Sequence, residues 1–180
     1  MNQPFLLIVT GRPASGKSTL AHLLSKQINC PLLSRDELKE GYINTVNITH
    51  AEADDSVARH IYDTFFEAIE LFITKGISII AEAAFQDKLW KSKLLNLSGK
   101  AAIKIIICTT NPDILNSRFI NRLLNNPNRE KYHGDKEMNL INGDYTPVNM
   151  DVPTLEVDTT ENYDPNLQEI ISFIKERKNS

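Results

Sequence analysis

Gly11-Arg12-Pro13-Ala14-Ser15-Gly16-Lys17-Ser18 has the G-x-x-x-x-G-K-[ST] spacing of a phosphate-binding P-loop. Its flanks supply the context such a match needs. Phe5-Leu6-Leu7-Ile8-Val9 is a short apolar run that reads as a buried strand, and Leu20, Leu23, Leu24 and Ile28 then recur at helical spacing. The chemistry accounts for the pattern. Gly11 and Gly16 allow backbone angles that residues with a Cβ avoid, so successive N–H groups turn inward around phosphate oxygens. The new helix adds the positive end of its dipole. Lys17 is spaced to reach β- and γ-phosphates, and the Ser18 hydroxyl is a ligand for Mg²⁺. With Arg12, Pro13, Ala14, Ser15 and Thr19 the loop forms a cradle for a nucleotide, ATP with Mg²⁺ being the simplest. A plain Gly/Ser-rich helix cap is the rival reading; it would leave the match to the full spacing and both flanks unexplained.

Composition bounds the rest. A chain of 180 residues is expected to be a single domain, 1–180, able to bury a real core. Its apolar share of 41% and charged share of 24% are those of an ordinary globular protein. A net charge of −3 and a pI near 5.8 give no electrostatic footprint for a long nucleic acid, although a local basic groove is compatible with them. No apolar run is long enough for a membrane span, and the N-terminus has no basic region before its apolar stretch, so a cytoplasmic location is expected. Cys30 and Cys108 then read as reduced thiols.

Apolar strands alternate with helical patterns from end to end, which calls for a parallel sheet covered on both faces. Pro31-Leu32-Leu33-Ser34, Ile77 to Ala81, Ile103 to Cys108 and Leu155 to Asp158 read as strands. Val57, Ile61, Phe65, Ala68 and Phe72 define one face of a strong helix, and Gly76 stops it. Residues 41–51 read as an irregular link. Asp87 reads as the cap of a helix carrying Trp90, Leu94 and Leu97. Asn125 to about Asp151 breaks the rhythm: it is polar, contains Pro127, Gly134, Gly143 and Pro147, and has the length of a lid or binding loop.

In an open parallel sheet, ligands bind beyond the carboxyl ends of the strands. Three ionisable sets fall there: the P-loop, Arg35-Asp36 and Glu82. Asp36 is placed to accept the proton of an attacking hydroxyl, as phosphoryl transfer to an alcohol requires; its rival role is a helix N-cap. Glu82 either holds Mg²⁺ through water, orients the acceptor, or is simply a strand end. Arg118 and Arg122 share a helix face, suited to neutralising charge on a transferring phosphoryl. Arg129 and Lys131 lie in the lid segment, and Tyr132-His133-Gly134-Asp135 reads as an exposed loop motif. A GTPase would show Asn-Lys-x-Asp, which is absent. A transport ATPase would show LSGGQ, of which only Leu97-Ser98-Gly99 is present. Two functional classes therefore stand: a phosphotransferase, and a nucleotide-binding switch or partner protein that keeps the P-loop but transfers nothing.

The set Gly11 to Thr19, Ser34-Arg35-Asp36-Glu37, Ile79 to Phe85 and the Arg118/Arg122 pair resembles the small P-loop kinases grouped with the polynucleotide kinase 5′-hydroxyl domain, the zeta toxins and chloramphenicol phosphotransferase. The resemblance implies a three-layer α/β P-loop NTPase fold with a five-stranded parallel sheet in the order 2-3-1-4-5. It implies that Asp36 is the general base, that Arg35 and Glu82 lie near the acceptor, and that Arg118 and Arg122 are the lid arginines. It implies a small-molecule or nucleoside-like acceptor. Ala83-Ala84-Phe85 stands where the zeta toxins place Thr and Arg, which argues against a UDP-sugar.

Overall fold

Among the described residues the five strands of the sheet pair in parallel. In a computed structural model, which describes residues 3–126, 128–133 and 145–176, strands β1 (Phe5–Gly11), β2 (Leu32–Ser34), β3 (Ile79–Glu82), β4 (Ala102–Thr109) and β5 (Thr154–Asp158) form one sheet in the order β2-β3-β1-β4-β5. This is the P-loop NTPase topology that the resemblance implied. Helices α1 (Lys17–Ile28), α2 (Arg35–Val46), α3 (Asp55–Thr74), α4 (Asp87–Leu95), α5 (Pro112–Asn125), α6 (Arg129–His133) and α7 (Leu167–Lys175) surround it.

The continuous apolar run of β1 divides by period two. Leu6 and Ile8 pack with Phe65, Phe66, Ile69 and Ile73 of α3 and with Trp90 and Leu94 of α4. Leu7 and Val9 pack on the opposite face with Leu20, Ala21 and Leu24 of α1 and Ile170, Ile171 and Ile174 of α7. A central strand buried on both faces needs apolar residues at every position, which is why no polar alternation marks it. A small third cluster, Ala14 with Leu115 and Phe119 of α5, seats the P-loop itself. Among the described residues no helix is long and apolar enough to cross a membrane.

Two expectations need correction. Residues 41–51 are not an irregular link: α2 runs on to Val46, ends at Asn47 in a left-handed conformation, and a 3₁₀ turn covers His50–Glu52. Gly41 and the β-branched Ile43, Thr45 and Val46 weaken helix propensity there. Packing overrides it, with Ile43 fully buried and α2 lying against α3. Asp87 is not a cap; Gln86 precedes the helix, and the Asp87 carboxylate accepts from the Asn149 N–H at 2.9 Å. The described ends of the 125–151 segment are also built into the molecule. Residues 129–133 form α6, while Val148 and Met150 join the α3–α4 core. Residues 127 and 134–144, with Pro127, Gly134, Asp135 and Gly143, lie outside the described residues, and the lid expectation rests chiefly on them.

Candidate active site

Strand register brings the candidate groups together. Glu82, the last residue of β3, pairs with Val9 of β1 on one side and with Ser34 of β2 on the other. The carboxyl ends of three adjacent strands therefore form one rim, and the P-loop springs from it between β1 and α1. Its glycines are required by space as well as by conformation. A Cβ on Gly11 would stand 2.6 Å from the Cys108 carbonyl oxygen, and Gly16 lies at φ +81° with a Cβ position 2.9 Å from Thr159 Oγ1. The Ser15 hydroxyl is buried and has no hydrogen-bond partner among the described residues. An unsatisfied buried hydroxyl costs about 1–3 kcal/mol, and a phosphate oxygen in the loop would satisfy it. The loop fits a nucleoside triphosphate on that ground.

Glu82 is 1% exposed and ties the P-loop to β2. Its Oε1 accepts from Ser18 Oγ at 3.2 Å and lies 3.8 Å from Lys17 Nζ; its Oε2 accepts from Ser34 Oγ at 2.7 Å. Among the described residues no group of three His, Cys, Asp or Glu side chains surrounds a metal position. Mg²⁺ does not need one, because it takes most of its ligands from phosphates and water and one or two from protein oxygens. Ser18 and Glu82, side by side at the P-loop, suit that ligation.

Helix α2 starts directly at the end of β2. Ser34 occupies the cap position but gives its hydroxyl to Glu82, and Asp36 lies in the first turn rather than at the N-cap. A carboxylate is electrostatically favoured there. Burial works to raise the Asp36 pKa, but Lys17, Arg35, His133 and Arg129 together hold it below the usual carboxylate value. Arg35 contributes at 3.4 Å. Asp36 is thus ionised at neutral pH, and its side chain remains 45% exposed in an open cleft. That cleft, of about 860 Å³, is also lined by Lys17, Arg122, Arg129 and His133.

A second cavity, of about 600 Å³, lies on the other side of the P-loop and includes Ala14, Gly16, Thr19, Arg118, Thr159 and Tyr163. Arg122 lines both cavities; Arg118 lines only this one. The Arg118 guanidinium donates to Thr159 Oγ1 at 3.0 Å, to the Thr159 carbonyl and to the Thr160 carbonyl at 3.0 Å. The two arginines share a helix face, as their spacing implied, but Arg118 is engaged with the end of β5. Arg12 and Pro13 edge the loop, with Arg12 stacked at 5.7 Å over the Tyr145 ring.

Several residues escaped sequence reasoning. The Thr159 hydroxyl donates to the Ser15 carbonyl at 2.8 Å, bracing the P-loop from β5. The Tyr145 hydroxyl lies 2.7 Å from Thr10 Oγ1, which accepts the Phe85 N–H. Neither Thr159 nor Tyr145 belongs to a motif; Thr159 could have been flagged by its position directly after β5, whereas nothing local marks Tyr145. His133 is not on an exposed loop: its side chain is 8% exposed and its Nε2 lies 2.7 Å from Glu40 Oε1.

The AAA domain family model (AAA_33) matches residues 6–140, and the chain belongs to that family. Its architecture is that of the small P-loop kinases, as the resemblance implied. A solved structure from Chloroflexus aurantiacus J-10-fl, described as a candidate kinase, is 26% identical with a TM-score of 0.84; the match covers 97% of this chain and 98% of that one. The APS kinase CysC of Mycobacterium tuberculosis, solved with AMPPNP and APS, is 14% identical with a TM-score of 0.67, covering 98% and 100%, a likeness of fold. Among curated relatives, a tRNA dimethylallyltransferase of Staphylococcus haemolyticus is 29% identical over 58% of this chain. An adenylyl-sulfate kinase of Thermodesulfovibrio yellowstonii is 31% identical over 44% of it. The chain spans 32% and 40% of the length of these two relatives.

Proposed function

We propose that this protein is an ATP-dependent phosphotransferase that moves the γ-phosphoryl of ATP to a hydroxyl of a small-molecule or nucleoside-like acceptor. The observation that carries the reading is the placement of an ionised Asp36 in the same cleft as the P-loop Lys17. A nucleotide switch needs the P-loop but has no use for a carboxylate facing the phosphate end across an open cleft.

Each residue then has a task. The backbone of residues 11–16 cradles the phosphates, and Lys17 meets the β/γ oxygens. Ser18 and Glu82 would hold Mg²⁺, whose chemistry there is neutralisation of charge on the β- and γ-oxygens. The contacts of Glu82 are to Lys17, Ser18 and Ser34, which favours the metal side over the acceptor for this residue. Arg122, at the junction of the two cavities, is positioned to neutralise the transferring phosphoryl. Arg118 is a positioning residue that braces the loop after β5 against the P-loop. Arg35 orients Asp36. In the transfer, the acceptor oxygen forms the new P–O bond as the bond from the γ-phosphorus to the β–γ bridging oxygen breaks. The hydroxyl proton passes to Asp36, and ADP departs. A carboxylate of low pKa is a weak base, yet the loose transition state asks for positioning first and proton removal late.

The test is ATP consumption against a panel of nucleosides, sugars, aminoglycosides and a 5′-hydroxyl oligonucleotide, the last included because one relative is named for tRNA. Asp36→Asn keeps size and one acceptor oxygen but cannot take the proton. It is expected to lower acceptor-dependent transfer by about 10²–10⁴-fold, with ATP·Mg²⁺ affinity unchanged in calorimetry. Slow hydrolysis indifferent to every acceptor would instead identify a nucleotide switch. Loss of ATP·Mg²⁺ binding in the variant would move Asp36 to the metal side.

A further inference from the structure

The Asp36 cleft is more basic than a triphosphate requires. Lys17, Arg35, Lys39, Arg59, Arg122 and Arg129 line it, six cations against the carboxylates of Asp36 and Asp55. The chain as a whole carries a net charge of −3, so the excess is local. Lys17 and Arg122 serve the phosphate end. The others stand on elements that do not line the second cavity beside the P-loop: Arg35 and Lys39 on one face of α2, Arg59 on α3 and Arg129 on α6. Arg59 is anchored through its Nε to the Asp55 carbonyl at 3.3 Å. That acceptor is neutral, and the Arg59 charge also acts on the Asp54 carboxylate at the start of α3. Of the α2 acids outside the lining, Glu40 lies against His133 and Glu37 against His22. The rest of the cleft is mostly apolar, with Ala58, Tyr62, Ala84, Leu89, Trp90 and Phe119 beside Gln86 and His133.

A concave site with one sign of charge concentrates ligands of the other sign. Guanidinium forks in particular match the paired oxygens of phosphate, sulfate and carboxylate. We propose that the acceptor is itself an anion: a hydroxyl compound carrying a phosphate, sulfate or carboxylate group that Lys39, Arg59 and Arg129 hold while its hydroxyl meets Asp36. The apolar wall takes the uncharged body between these two ends. The proposal rests on the phosphotransferase reading and adds the class of molecule it acts on.

Equilibrium binding separates the two claims. The P-loop is first filled with a non-hydrolysable ATP analogue and Mg²⁺, at about 0.15 M ionic strength so that only close contacts count. Glucose, glucose 6-phosphate, glucose 6-sulfate and gluconate are then titrated, followed by adenosine and adenosine 5′-monophosphate. The anionic members are expected to bind at least about tenfold tighter than their neutral parents, the scale of one charge-assisted contact. The phosphate, sulfate and carboxylate arms tell which anion the site prefers. Arg59→Gln is expected to remove about tenfold of that preference, with affinity for the ATP analogue and the melting temperature unchanged. Equal binding of neutral and anionic members, no binding of any anion, or a preference that survives Arg59→Gln would each overturn the proposal. An anion that binds by this pattern yet receives no phosphoryl from ATP would uphold the anion site and sink the transfer reading. Phosphorylation of neutral members alone would do the reverse.

Discussion

Cys108 shows how one side chain reports on the core beneath the site. It sits at the end of β4, 2% exposed, and its carbonyl oxygen blocks a Cβ at Gly11. Burial pushes its thiol from 9.0 up to about 12; nearby Glu82 adds to this and Lys17 opposes it. The sign follows from linkage. The unfolded chain releases this proton above its ordinary value while the native core retains it. The stabilisation is therefore fully present below pH 9.0 and is lost as pH rises toward 12. The slope approaches about 1.4 kcal/mol per pH unit for one retained proton. Cys108→Ala removes the group and its slope. Denaturant titrations across this range are expected to show wild type more stable at neutral pH, with the gap narrowing above pH 9.0. A gap constant with pH would show that the thiol titrates normally.

At the scale of elements, the site depends on where strands end and helices begin. Glu82 holds Ser34 at the start of α2 and Ser18 at the start of α1, so one carboxylate sets two helix N-termini relative to each other. Glu82→Gln keeps the shape and one carbonyl acceptor but removes the charge opposite Lys17. Glu82 would reach Mg²⁺ through water, and loss of such an outer partner typically weakens a bound metal about 10–100-fold. Nucleotide binding titrated at graded Mg²⁺ is expected to shift to higher Mg²⁺ by that order. The same variant should keep its native circular dichroism, since Ser34 retains an acceptor. An unchanged Mg²⁺ requirement would remove Glu82 from the metal side and return it to the acceptor.

The whole molecule is a sheet clamped between two apolar layers, and the site needs both layers to hold its rim. Phe65, fully buried, lies at the centre of the α3–α4 layer, within ring-contact distance of Phe66, Phe85 and Trp90. Phe85 is three residues beyond Glu82, and its N–H reaches Thr10 beside the P-loop. Phe65→Ala is expected to cost about 3–5 kcal/mol in chemical denaturation, through lost transfer energy and the cavity left behind. Leu71→Ala, on the same helix but 56% exposed, should stay within about 0.5 kcal/mol of wild type. Equal effects would mean that α3 does not clamp the sheet as described.

The sequence by itself determined the strand–P-loop–helix unit, the alternation of buried strands with helices, and the placing of Arg35-Asp36 and Glu82 at strand ends. Those features are local: glycine geometry, apolar periodicity and chain direction are written in neighbouring residues. It misjudged α2, where weak propensity yields to the burial of Ile43, and it took His133 for an exposed residue. The family resemblance already placed β3 between β1 and β2, but tertiary structure alone decided that Glu82 meets Lys17, Ser18 and Ser34 there. It also decided that Arg118 turns to Thr159 and Thr160 while Arg122 lines the Asp36 cleft. Helical spacing places two side chains on one face but does not say what that face meets. The basic cleft is the clearest case. Its cations are scattered from Lys17 to Arg129 across a chain of net negative charge, and only folding gathers them into one field.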